Sequence, residues 1–128
     1  MDRPPTHRLR RESNPHRPTL QNRVYVMVGD EVASKVEFDI ALCDIAWVRT
    51  YAAHAGRGYA TLALADAIDW LRESGQCRSV SLFMWPQYGA DYRRLYGFYR
   101  RQGFRPATWA EQRKVGDRRP CRLVRDLE

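Results

Sequence analysis

The chain has 128 residues, 44% of them hydrophobic and 29% charged, enough for one domain with its own apolar core and too apolar for a disordered chain. Its net charge of +7 favours an anionic partner (nucleic acid, a membrane surface or a phosphorylated cofactor) without choosing among them. The opening MDRPPTHRLRRESNPHRP has no signal-peptide-like apolar run, and Asp66 and Asp69 interrupt the most apolar helical stretch, Tyr59 to Leu71. A membrane-spanning helix is therefore excluded, and a cytoplasmic protein with no membrane partner is expected.

Residues 1–21 hold four prolines and five arginines and are expected to form a flexible basic arm, leaving 22–128 as a single domain. Arg23–Val28 is rich in β-branched and aromatic residues and stops at the turn pair Gly29-Asp30. Glu31–Asp39 alternates with period two, and Leu42–Thr50 makes a third strand, giving an antiparallel meander. The period then changes. Gly58–Ser74 places Leu64, Ile68 and Leu71 at i, i+4 and i+7 of an amphipathic helix that Gly75 stops. Ser79–Trp85 alternates again. A second helix, Tyr92–Gln102, is capped by Asp91 and stopped by Gly103. Two last strands, about Ala107–Val115 and Pro120–Leu127, flank the turn Gly116-Asp117. The order β-β-β-α-β-α-β-β is an α+β fold with a mixed sheet flanked by helices.

Cys43, Cys77 and Cys121 are odd in number and lack CxxC spacing, so reduced thiols are expected. His7, His16 and His54 are scattered, and no metal is expected. Twenty of the 22 basic residues are arginine, a bias most simply ascribed to codon composition.

The most informative segment is Ala55-Gly56-Arg57-Gly58-Tyr59-Ala60-Thr61, between a strand and the helix it opens. Free N–H groups at a helix start favour phosphate, and glycines let an anion approach the backbone; a plain strand-to-helix turn is the alternative. A Walker loop is excluded because no Lys-Ser/Thr pair follows. A Rossmann fingerprint lacks its third glycine, which is Thr61 here. It also lacks the acidic residue after the next strand, where Met84-Trp85-Pro86-Gln87 stands.

Gly58-Tyr59-Ala60 resembles the G-x-[G/A] part of the [Q/R]-x-x-G-x-[G/A] signature of the GNAT superfamily of acyl-CoA N-acyltransferases. The wider AGRGYATLAL resembles its RGRGYATALL form. Phe98-Tyr99-Arg100-Arg101-Gln102-Gly103-Phe104 is similar to the family's second signature, an aromatic-Tyr followed by Gly-Phe. The resemblance covers roughly Arg23 to the C-terminus and departs at two points. The [Q/R] position is Ala55, and the two helices that family members carry between their first two strands are replaced by a short polar arm. That leaves the acceptor pocket open, and a second copy of the chain is one way to complete it.

The resemblance implies an N-acetyltransferase that moves an acetyl group from acetyl-CoA to a primary amine by direct attack in a ternary complex. It implies pyrophosphate on Ala55, Gly56, Arg57, Gly58, Ala60 and Thr61. It lays the pantetheine arm along the strand near Val48 and Thr50, with the Val48 N–H donating to the acetyl oxygen. It makes Tyr99 the acid that protonates the departing sulfur, with Tyr96 as fallback. In histone-acetyltransferase-like members a carboxylate on this strand is the base, and counting back from Ala55 places it at Asp44. An Asp beside Cys43, Ile45, Ala46 and Trp47 is unusual, because burying a lone charge is costly and raises its pKa. Glu37, His54 and a water chain are rivals, and pairing with Arg49 is the structural alternative. The competing function is a module without chemistry that binds nucleic acid or a protein partner through its arginines; nucleic acid is the less favoured partner, because CoA itself takes up part of the positive surplus. The acceptor, and whether the acyl group is acetyl or longer, are left open.

Overall fold

The computed structural model describes residues 6–84, 92–111 and 122–127. Seven strands form one mixed sheet: β1 His7–Glu12, β2 Asn22–Val28, β3 Glu31–Asp39, β4 Asp44–Thr50, β5 Ser79–Phe83, β6 Arg105–Pro106 and β7 Arg122–Asp126. Helix α1 spans Tyr59–Ser74 and α2 spans Tyr92–Arg101, with a 3₁₀ turn at Ala52–His54. The spatial order is β1-β2-β3-β4-β5-β7-β6. Each neighbouring pair is antiparallel except β4 and β5, which run parallel because α1 crosses over between them.

The expected meander is present, with Gly29 at φ +59° in its first turn. Alternation sends Val24, Val26, Val36, Phe38 and Ile45 into the core. Helix α1 lies on that face, burying Tyr59, Ala63, Leu64, Ala67, Ile68 and Leu71. Its Trp70 ring meets Phe38 edge-on at 5.2 Å. Gly75 ends it at φ +67° in the left-handed region, where a side chain would be strained. The last turn of α2 reaches the same face, Gln102 Nε2 donating to Thr61 Oγ1 at 3.4 Å. Among the described residues no helix covers the opposite face of β1–β4, where Trp47 is 51% exposed.

Three expectations are corrected. Residues 7–12 are not a loose arm but strand β1, paired with β2 from His7↔Val28 to Glu12↔Arg23. Arg11 anchors it: its guanidinium bonds Asp66 (3.0 Å) and Glu73 (2.7 Å) and lies 5.4 Å from the Trp70 ring centroid. On the other face Arg10 lies over the Tyr25 ring. The strand expected from Ala107 is β6, only Arg105–Pro106, and residues 109–111 begin a helical turn instead. Thr108 and Glu111 cap it reciprocally, the Glu111 N–H donating to Thr108 Oγ1 and the Thr108 N–H to Glu111 Oε1. The expected cap Asp91 and the turn Gly116-Asp117 lie outside the described residues.

The third correction concerns the cysteines. Cys43 and Cys77 form a disulfide across 34 positions of sequence, with Cα atoms 5.7 Å apart. Spacing rules miss it because topology makes the pair. Cys43 precedes β4 and Cys77 precedes β5, and the parallel pairing brings both strand starts together, with the Ser81 N–H bonding the Cys43 carbonyl at 3.0 Å. Cys121 lies outside the described residues.

Candidate active site

Strands β4 and β5 pair only at Asp44↔Ser81 and Ile45↔Leu82, then part. The register of β3 skips between Trp47 and Ile45, so Ala46 is an extra, bulged residue on β4. Past the bulge β4 stays on β3, where the Tyr51 N–H bonds the Ala33 carbonyl. Main-chain groups alternate sides along an antiparallel strand. Those of Arg49 therefore face β3, and those of Val48 and Thr50 face the gap. The side chains behave differently: Val48 packs half-buried against the core, and Thr50 Oγ1 meets Ser34 Oγ at 3.1 Å.

The gap ends at the glycine turn. Gly56 and Gly58 sit at φ +78° and +79°, a region that favours glycine, and a Cβ built on either meets nothing within 4 Å. Gly58 caps α1 without a side-chain bond, and the first turn of α1 carries no acid. Ala55, Gly56, Arg57, Gly58 and Thr61 are exposed and Ala60 is half-buried. The turn thus offers main-chain N–H groups, the positive end of a 16-residue helix and the Arg57 cation to solvent. His54 does not join it. Its ring is buried against Tyr59, with Nε2 held by Glu31 at 2.9 Å, so it ties the turn to the β2–β3 hairpin.

Tyr99, on α2, is 7% exposed, with its ring 5.2 Å from Phe98 and 5.8 Å from Phe104. Burial pushes its phenol up to about 12, so it keeps its proton at neutral pH. Tyr96 packs half-buried against the same core. Glu37, opposite Trp47 on the helix-free face, is held by Arg23 at 2.9 Å.

Asp44 opens β4 on the helix-free side, where the strands are still paired. Ser81 Oγ donates to its Oδ1 at 3.0 Å, and Arg122 Nη1 donates to Ser81 Oγ at 2.7 Å. Arg122 Nη1 also lies 3.9 Å from Asp44 Oδ1. Arg122 is 6% exposed and its guanidinium sits 4.3 Å from the Phe83 centroid. Burial raises the Asp44 pKa; the Ser81 bond and the Arg122 charge oppose it, and Asp39 across β3 adds to it. The alternative pairing with Arg49 is not what holds this carboxylate: Arg49 lies over Tyr51 instead. Sequence reasoning missed Ser81 and Arg122. Period two on β5 puts Ser81 on the face opposite Val80 and Leu82, but only the registers of β4–β5 and β5–β7 bring it between Asp44 and Arg122.

A mixed sheet that splits at its one parallel pair among the described residues, with an exposed glycine turn opening the helix after β4, is the arrangement expected of the acyl-CoA N-acyltransferase class. The profile of the Acetyltransferase (GNAT) family matches residues 9–104, and the chain belongs to that family. It is similar to the structure of PaiA N-acetyltransferase from Thermoplasma acidophilum in complex with coenzyme A. That match has TM-score 0.60 and 11% identity, over 81% of this chain and 59% of that one. It is similar to a GNAT-family protein from Desulfovibrio desulfuricans (TM-score 0.66, 14% identity, 96% of this chain and 100% of that one). Tetrahymena GCN5 matches with TM-score 0.62 and 13% identity, over 84% of this chain and 68% of that one. These identities bear on the fold. No curated protein sequence matches the chain. No described helix is long and apolar enough to cross a membrane.

Proposed function

We propose that the chain transfers an acetyl group from acetyl-CoA to a primary amine by direct attack in a ternary complex. The observation that carries the reading is the gap between β4 and β5, edged by the main chain of Val48 and Thr50, which pairs with no strand there among the described residues, and followed by the Gly56–Thr61 turn. The turn takes the pyrophosphate on its N–H groups, and the pantetheine arm pairs with β4 as an added strand. The Val48 N–H donates to the thioester carbonyl oxygen, where charge develops as the amine attacks. Asp44 accepts the amine proton, its raised pKa favouring a base that works near neutrality. The C–S bond then breaks, and the Tyr99 O–H gives its proton to the leaving thiolate.

A nucleic-acid module without chemistry draws little support from the helix-free face. There Arg8, Arg10, Arg23, Lys35 and Arg49 are interspersed with Glu12, Glu37, Asp39 and Asp44, which makes the face nearly neutral. The test is free-thiol release from acetyl-CoA across a panel of amines: a lysine peptide, a peptide N-terminus, a polyamine, an aminoglycoside and an aminoacyl-tRNA. Amine-dependent release is expected with at least one. Release from none, with calorimetry showing no CoA binding, overturns the reading.

A further inference from the structure

We propose that Ser81, locked in place by Arg122, is a positioning residue that aims the Asp44 carboxylate and sets the pH at which it can accept a proton. The proposal rests on the reading of Asp44 as the base and adds to it the groups that control that base. Asp44 has one hydrogen-bonding neighbour on β5, the Ser81 hydroxyl, which donates to Oδ1 at 3.0 Å. A hydroxyl is a free rotor and could as well point elsewhere. Here its oxygen accepts from Arg122 Nη1 at 2.7 Å, which turns the hydroxyl proton toward Asp44. Arg122 is itself fixed, buried on β7 with its guanidinium carbon 4.3 Å from the centroid of the Phe83 ring. The chain of contacts runs from a rigid cation through a hydroxyl to one oxygen of the carboxylate. Among the described residues no group bonds the second oxygen, Oδ2, which is left to an incoming amine.

The charged and hydrogen-bonding groups facing Asp44 come from both neighbouring strands and from β7. Asp39 stands directly opposite on β3, Ser81 on β5, and Arg122 on β7 at 3.9 Å. Burial and Asp39 favour the protonated acid; Ser81 and Arg122 favour the carboxylate. Removing the Ser81 hydroxyl therefore weakens the carboxylate form, and Asp44 gains its charge at a higher pH. The disulfide of Cys43 sits beside this cluster but does not titrate.

The experiment follows the Asp44 side-chain carboxyl by ¹³C NMR between pH 3 and 9 in the full chain, its resonance assigned by its loss in Asp44→Asn. The same variants are assayed for thiol release with the amine that gives most turnover. Ser81→Ala is expected to move the Asp44 titration to higher pH. It moves the acid limb of the rate profile to higher pH in step with that titration, with turnover lost on the acid side of the limb, up to about tenfold for each pH value moved, and regained above it. Ser81→Thr, which keeps the hydroxyl, restores the wild-type titration. Arg122→Gln moves the titration the same way as Ser81→Ala. Thermal unfolding and CoA affinity measured on each variant separate misfolding from this effect.

If Asp44→Asn leaves the acid limb of the rate profile in place, the base reading fails and this proposal with it. If Asp44→Asn removes the limb but Ser81→Ala shifts neither limb nor NMR titration, the base reading stands and the positioning role is overturned. A loss in Ser81→Ala that is equal at every pH also overturns it, because a merely structural role gives that pattern.

Discussion

The two ends of the β4–β5 pairing are built in opposite ways. At the closed end a disulfide joins Cys43 to Cys77, the Ser81 N–H bonds the Cys43 carbonyl, and Arg122 and Ser81 gather around Asp44. At the open end the strands share no ladder, and among the described residues nothing lies within 4 Å of a Cβ placed on Gly56 or Gly58. A split sheet leaves main-chain donors and acceptors unpaired, which is costly unless something else pairs them. A closed end held by covalent and charge-assisted bonds lets the open end stay apart and available to a ligand.

The most severe way to break the open end is Gly58→Glu. A side chain at φ +79° is strained, and a carboxylate at the helix start repels phosphate. Calorimetry is expected to show CoA affinity reduced by at least about a hundredfold, the order of two lost anion contacts. Normal affinity removes the turn from the binding site.

Tyr99→Phe probes the chemistry between the two ends. The ring still fills its place beside Phe98 and Phe104, so stability and CoA affinity should hardly change. Loss of the acid should lower kcat by about 10²–10⁴-fold with little change in KM for acetyl-CoA. Because burial raises the phenol to about 12, the wild-type rate should show no Tyr99-dependent fall below about pH 10. Wild-type kcat in the variant moves the acid role to Tyr96 or water.

Breaking the closed end is a stability experiment. Opening a 34-position loop removes about 4 kcal/mol in the chain-entropy account. Dithiothreitol, or the double variant Cys43→Ser/Cys77→Ser, should lower the unfolding midpoint by several degrees and weaken CoA binding. An unchanged midpoint means that the strand pairing holds the closed end alone. The smallest effect is expected far from the split. Arg11→Ala loses the contacts to Asp66 and Glu73, but its side chain is 34% exposed, and denaturant unfolding should report about 1 kcal/mol or less.

Much of the fold was legible because its signals are local. Turn residues at Gly29 and Gly75, period two in β2–β4 and the apolar stripe of α1 each occupy adjacent positions in the chain. The glycine turn was legible for the same reason. Strand β1 was not, since HRLRRE has one apolar residue, Leu9, and becomes a strand only because β2 offers it a partner. The helical turn after Thr108 had its signature in the sequence, Thr108-x-x-Glu111, but the turn pair Gly116-Asp117 pointed to a hairpin there instead. The disulfide and the Ser81–Arg122 pair follow from register between distant strands, and no spacing rule contains that information.

Arginine's excess over lysine also acquires a structural side. Guanidinium groups lie over Tyr25 (Arg10, 5.7 Å), Trp70 (Arg11, 5.4 Å), Tyr51 (Arg49, 4.7 Å) and Phe83 (Arg122, 4.3 Å). A flat, weakly hydrated cation can lie on a ring and still bond at its edge, whereas an ammonium cannot do both. Arg10 and Arg49 roof aromatic rings on ground that no helix among the described residues shelters, so a cation does there what an aliphatic side chain does in a core. Whatever genomic bias filled the chain with arginine, at these four sites exchange for lysine is a change of shape as well as of amino acid.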